Sequence, residues 1–334
     1  MSTTTPELIL FTYPESVYGR RIDWYLTLRG IPYTHCRVLN RLPRPVLSTL
    51  NIHYRRIPIL AIGRDIYCDS RLIIEKCEAL IAANRLAPTT PYEKGIAKLL
   101  ETWTIDGGPF WRTAQLIPSD APITRDPLWL EDRAEMSGRK WDAGVMAAGR
   151  PEAMAHMRMH FDFVERGLMG DGREWVLGGG KLSLADVHAI WPFDWALQPY
   201  MVGGLPEDVI SEKVFPKTWA WVRRFNEAYR EAVGRNGSPQ VLSAEETVRR
   251  IEGAGYFEDE GVVDPADPLR LEKGQIVDVF PTDMASGFAH RDSGKLLSIS
   301  VMDVCIQTKT KNGKDIRIHF PRTNFKISKA VSKL

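Results

Sequence analysis

Cysteine is scarce in this chain of 334 residues. Cys36, Cys68, Cys77 and Cys305 are the four present, and none forms a CxxC pair or a metal-ligand spacing. That excludes a disulfide-framed secreted domain and a zinc ribbon, and reads as buried, reduced thiols in a cytoplasmic protein. Charge of one sign is lacking too. A net charge of +2 excludes binding to a polyanion over the whole surface, while leaving room for a local basic patch. No apolar run approaches the about 18 residues that a membrane span needs, so no membrane partner is expected. The opening MSTTTPELILF has no basic stretch ahead of an apolar one and does not read as a signal peptide. There is no internal repeat, and low complexity is confined to short stretches such as Gly178-Gly179-Gly180.

What is there is 44% hydrophobic residue, ample for two or three cores. Residues 7–85 alternate between strand and helix signals. Glu7 to Thr12 is a short apolar run stopped by Pro14. From Val17 to Arg29 the pattern turns helical, with Ile22, Tyr25 and Leu26 on one face and Gly30 as the stop. Tyr33 to Leu39 reads as a strand, and Ile57–Ile62 with Asp65–Cys68 as a hairpin. Asp69 or Ser70 then caps a helix carrying Ile73, Cys77, Leu80 and Ile81 on one side. The order is βαβ, then ββα, a small α/β unit.

Residues 86–92 read as a linker. Residues 93–235 are mostly helical and crowded with tryptophan, and Ser183 with Asp186 forms a capping box whose role is structural. Residues 236–334 change character. After one helix over Ser243–Glu252 come β-rich runs at Gln275–Phe280, Lys295–Val301, Val304–Thr308 and Asp315–Phe320, the last two joined at Asn312-Gly313. They predict a small all-β module attached to the body through a short turn. Ile276, Val279, Leu297, Ile299 and Val301 exceed what so small a core uses, so the module is expected to dock, plausibly on the helical segment.

Three pieces in the first 80 residues carry chemistry. They are Tyr13-Pro14-Glu15-Ser16 opening a helix, Ile57-Pro58 opening a strand, and Asp69-Ser70 opening another helix. Their order resembles the N-terminal domain of the glutathione S-transferase superfamily, and with the helical part the resemblance covers about residues 7–235. It implies a thioredoxin-like α/β domain over 1–85, an all-α transferase domain over 93–235, and an atypical β-rich extension over 236–334. It further implies glutathione as cosubstrate, a hydrophobic small molecule as second substrate, and a possible homodimer.

Transferase chemistry needs a thiolate, and a hydroxyl at a helix N-terminus supplies part of its stabilisation. By the resemblance to serine-type members (zeta and theta classes, with omega carrying cysteine there), Ser16 is the activating hydroxyl. Tyr13 and Tyr18 stand close enough to be its rivals. Pro58 is expected to be cis, with Ile57 binding glutathione through its main chain. Asp69 and Ser70 would receive the γ-glutamyl end, where a helix N-terminus favours a carboxylate. Arg56 or His53 would pair with the glycyl carboxylate, while Arg21 orders the turn. Trp103, Phe110 and Trp111 are expected on one long helix lining the second-substrate site. The same apparatus would serve conjugation to an electrophile in a specialised, secondary-metabolite pathway, a glutathione-dependent cis–trans isomerase, or a binding module without catalysis.

Other signals point to no function. His156 and His160 share a helix face without a third ligand, so no metal is expected. Gly253-Ala254-Gly255 lacks the third glycine of a dinucleotide loop. The basic stretch from Ile306 suits edge-strand lysines better than nucleic acid.

Overall fold

The structure, a computed structural model, describes residues 7–202 and 204–330. Strand β1 (Leu8–Thr12) is buried along its whole length, as an apolar run with both faces covered must be. Helix α1 (Val17–Leu28) follows, and Gly30, at a φ of 65°, ends it in the left-handed conformation. Then come β2 (Thr34–Arg37), α2 (Pro45–Thr49), the hairpin β3 (Ile59–Ile62) and β4 (Asp65–Cys68), and α3 (Ser70–Leu80). β1 runs parallel to β2 and antiparallel to β3. This is the expected thioredoxin-like unit.

The helical body comprises α4 (Pro91–Asp106), α5 (Pro109–Gln115), α6 (Pro127–Ser137), α7 (Ala143–Asp162), α8 (Leu184–Ala196), α9 (Pro199–Val202) and α10 (Pro216–Asn236). α8 is buried on nearly every side and forms its axis. Asp186 caps it, and its other oxygen accepts from Val176 N at 2.9 Å and Trp221 Nε1 at 3.0 Å. The capping residue thus also ties α8 to α10.

The extension holds β5 (Val241–Leu242), α11 (Ala244–Gly253), β6 (Ile276–Pro281), β7 (Asp292–Ile299), β8 (Asp303–Lys309), β9 (Asp315–Pro321) and β10 (Phe325–Lys329). The expected β module is present, and its strands continue the thioredoxin-like sheet. One ten-stranded sheet runs β10-β6-β7-β8-β9-β4-β3-β1-β2-β5. β9 lies parallel to β4, with Asp65, Ile66 and Tyr67 opposite Arg317, Ile318 and His319, while β5 pairs with β2 at the far edge. An open edge of β4 would carry unpaired N–H and C=O groups, and β9 satisfies them.

A single apolar cluster then spans the join, from Ile59, Ile66 and Cys68 to Val304, Ile306, Ile318 and Phe320. The main docking surface is therefore the sheet edge rather than the helical segment. Val279, Leu297 and Ile299 are buried as expected, but Ile276 and Val301 are exposed, at the start of a strand and in the turn after β7. β5 and β10 are not apparent in the sequence, β5 because two residues show no alternation and β10 because it lies in the basic stretch.

Candidate active site

The end of β1 delivers Tyr13 to the mouth of a cleft, and the next residues turn into α1. Ser16 is the N-cap of α1: its Oγ accepts from Gly19 N at 3.0 Å, which leaves its own hydrogen free to donate. The first turn of α1 lies so close to β1 that a Cβ at Gly19 would sit 2.0 Å from Thr12 Oγ1. Glycine there permits the approach that places Ser16. Ile57-Pro58 is cis, and both residues line the cleft.

Asp69 caps α3 with a φ of 75°, a left-handed conformation that is strained for a non-glycine residue, and accepts from Arg71 N at 2.9 Å. Ser70 beside it is buried, and its Oγ accepts from Arg21 Nη1 at 3.1 Å, leaving its hydrogen also free. Arg21 is wholly buried beneath Ser70, 3.2 Å from Glu101 and bonded to His188. It orders this corner, as its place in the sequence suggests. Burial alone would raise the Glu101 pKa, but the charges of Arg21 and Lys98 outweigh it and hold the carboxyl below its ordinary range. Burial and then the Arg21 charge push His188 down to about 3, so the imidazole is neutral and accepts from the guanidinium.

The cleft has a volume of about 1060 Å³, and its polar half gathers Tyr13, Ser16, Arg56, Ile57, Pro58, Asp69 and Ser70. The opposite wall is aromatic: Phe110, Trp111, Trp129, Trp141, Trp195 and Tyr200. Tyr18 joins the halves, its ring 5.2 Å from Phe110 and 4.8 Å from Trp191. Burial raises its phenol well above the ordinary range, so it stays neutral.

Two expected residues are not brought here. His53 lies off the cleft, where its ring bonds Asn51 and its backbone N–H donates to Asp292 of the extension at 2.7 Å. Trp103 packs against His160, Phe163 and Phe193 inside the helical body. α4 turns this ring into the helical body, and Gly107-Gly108-Pro109 ends α4 and starts α5. Trp103 and Phe110 therefore sit on different helices, and Thr102, Ile105 and Asp106 give α4 its cleft-facing side. Arg56 reaches the cleft already paired, its guanidinium forked onto the Asp283 carboxylate.

The extension contributes more than Asp283. Arg71 donates to Asp106 Oδ1 at 2.7 Å, and Asn324 donates to the same oxygen at 3.0 Å. Arg71, Asp106 and Asn324 thus lock α3, α4 and the extension together at one rim. On the other rim Arg44 is buried with its Nε on Leu39 O at 2.8 Å, and burial lowers its pKa to about 10. Arg71 adjoins Asp69-Ser70 and was findable from that alone. Nothing local in the sequence marks Asp283 or Asn324 as cleft residues.

With this geometry in view, comparison with known proteins is informative. Residues 10–85 match the family model "Glutathione S-transferase, N-terminal domain". Glutathione S-transferase U4 of Arabidopsis thaliana is 24% identical over 263 residues, which span 76% of this chain and all of that protein. Residues 10–85 are thus a glutathione S-transferase N-terminal domain. Residues 112–234 match a domain of unknown function (DUF7962). A GST-like protein from Pseudomonas syringae shares the fold over 98% of this chain and all of its own, with a TM-score of 0.68 at 20% identity. Its full overlap means that the β extension is shared, so the extension is not peculiar to this chain. Rice GST1, solved in complex with glutathione, aligns over 74% of this chain and 96% of its own at a TM-score of 0.50 and 19% identity. Among the described residues, no helix is long and apolar enough to cross a membrane.

Proposed function

We propose that this chain is a glutathione transferase that adds the glutathione thiolate to a hydrophobic electrophile. The observation that carries the reading is the division of one cleft into a polar half with two free hydroxyls, Ser16 and Ser70, and an aromatic half facing it. Glutathione would lie with its sulfur at Ser16, its cysteinyl main chain along Ile57 and its γ-glutamyl carboxylate on the Ser70 hydroxyl and the α3 N-terminus. Asp69 would hold the γ-glutamyl ammonium.

The step is an addition. Ser16 donates its hydrogen bond to the sulfur and stabilises the thiolate, which attacks the electrophilic carbon held against Phe110 and Trp111. Tyr13 stands beside it at the mouth and Tyr18, neutral and packed, shapes the floor. The aromatic wall favours a flat or bulky apolar substrate and excludes water from the attacking sulfur.

Calorimetry with glutathione tests the placement. Ser70→Ala and Asp69→Ala should each weaken binding about ten- to a hundredfold, the scale of one hydrogen bond to a charged group. Wild-type affinity in both variants would refute it. Product analysis with conjugated-diene substrates separates conjugation from isomerisation, since only conjugation consumes glutathione.

A further inference from the structure

A second cavity, of about 560 Å³, lies at the join of extension and thioredoxin-like sheet and shares no lining residue with the cleft. Strand alternation explains its chemistry. Along β8 and β9, Val304, Ile306, Ile316, Ile318 and Phe320 enter the apolar cluster. The intervening residues Asp303, Cys305, Arg317 and His319 take the opposite face and line the cavity. Lys76 of α3 and Glu258 close it from above, with Val262, Val301 and Met302 exposed at its mouth.

Cys305 and His319 are opposite partners in the ladder, with Sγ 3.7 Å from Nε2. The same nitrogen is 3.0 Å from Asp65 Oδ1, while Nδ1 lies 3.9 Å from Asp303 Oδ2 and makes no hydrogen bond. His319 is only 4% exposed. Burial opposes its charge, but Cys305, Asp303 and Asp65 outweigh burial and raise its pKa well above the ordinary value. Lys76 and Arg317 add positive charge from α3 and β9, and Glu258 and Glu260 oppose it from the segment above. An imidazolium at this distance stabilises the negative charge that develops on a sulfur as it reacts.

The other three cysteines lack every part of this arrangement. All four cysteines are buried, Cys305 at 3% exposure, but Cys36, Cys68 and Cys77 line neither cavity and have pKa values raised by burial, Cys77 to about 12.

We propose that Cys305 is a covalent capture site for small, uncharged α,β-unsaturated carbonyl compounds, with His319 as its positioning residue. The Cys305 thiol releases its proton to water as its sulfur bonds to the β carbon, the double-bond electron pair moves onto the carbonyl oxygen, and the resulting enolate takes a proton back from water at the α carbon, so that the thiol has added across the double bond. Nothing is oxidised or reduced. The carboxylates of Asp259, Glu260 and Asp264 around the mouth disfavour anionic reagents. The site is independent of the reading of the cleft.

The test uses the full native chain and N-ethylmaleimide, an uncharged unsaturated dicarbonyl, with occupancy of each cysteine followed by peptide mass spectrometry. Cys305 should label at least about tenfold faster than each of the other three, because it alone of the four lines a cavity and lies beside an imidazole. Equal labelling of all four, or faster labelling of another, overturns the proposal without any variant. His319→Gln should slow Cys305 labelling several-fold near neutral pH and leave it unchanged in strong alkali, where no cation is required. A profile that does not move with this substitution overturns the role of His319. The anionic reagent 5,5′-dithiobis(2-nitrobenzoate) should react more slowly than N-ethylmaleimide relative to free cysteine, and the reverse order overturns the assignment to uncharged compounds.

Discussion

Asp292 sits where the extension grips the loop that leads to Ile57 and Pro58, and replacing it by asparagine has a calculable effect. The carboxyl accepts from His53 N at 2.7 Å, and its second oxygen has no partner. Burial pushes its pKa from the ordinary 3.8 up to about 7, against the hydrogen bonds from His53 and Tyr54. Between those values the folded chain keeps the proton and the unfolded chain has lost it. Stability from this group is therefore full below the unfolded value and is lost as pH rises to about 7. At about 1.4 kcal/mol per tenfold change, the loss has a ceiling of about 4 kcal/mol. Asparagine keeps the acceptor for His53 and never ionises. The advantage of Asp292→Asn over wild type should therefore grow by several degrees in Tm between about pH 5 and about pH 8.5. Thermal unfolding followed by tryptophan fluorescence at the two pH values measures this. Parallel pH dependence in the two proteins would refute the reasoning, because it would mean that Asp292 is already ionised in the fold.

Ser16→Ala should raise the thiol pKa of bound glutathione by about 1 to 2, the scale of one charge-assisted hydrogen bond, and slow turnover more than it weakens binding. Titration of the thiolate absorbance reads it, and an unchanged titration accompanied by a shift in Tyr13→Phe would transfer the role to the tyrosine. A chain ending at Arg235 should aggregate or melt far below wild type, because it bares the β4 edge and half of an apolar cluster. Equal solubility and equal hydrogen-exchange protection over residues 93–235 would show that the extension contributes no stability to the body.

The parts of the candidate site that were legible in the sequence are those with local causes. Ser16 precedes a helical period, Pro58 opens an apolar strand, and Asp69-Ser70 stands before another helix, and the resemblance of this order to glutathione S-transferases suggested them. The structure gathers all three on one cleft. Trp103 was misplaced because periodicity was carried across Gly107-Gly108-Pro109, a break that the sequence itself displays. His53 was misplaced because nearness to Ile57 along the chain says nothing about which way a loop residue turns. Asp283, Asn324 and Asp292 were illegible for a different reason. Their partners Arg56, Asp106 and His53 lie more than two hundred residues away, and no local pattern encodes a contact at that separation. The edge of β4 was readable as a strand, but which strand would cover it was not.

The pairing of β4 with β9 also has a consequence in time. Asp65 and its partner His319 are 254 residues apart. At roughly 5 to 20 residues per second, a ribosome makes β9 roughly ten to fifty seconds after β4. For that interval the nascent thioredoxin-like unit exposes a bare strand edge and an open apolar flank, and the cleft lacks Asp283 and Asn324. Completion of the cleft thus waits for the strands of the extension to be made.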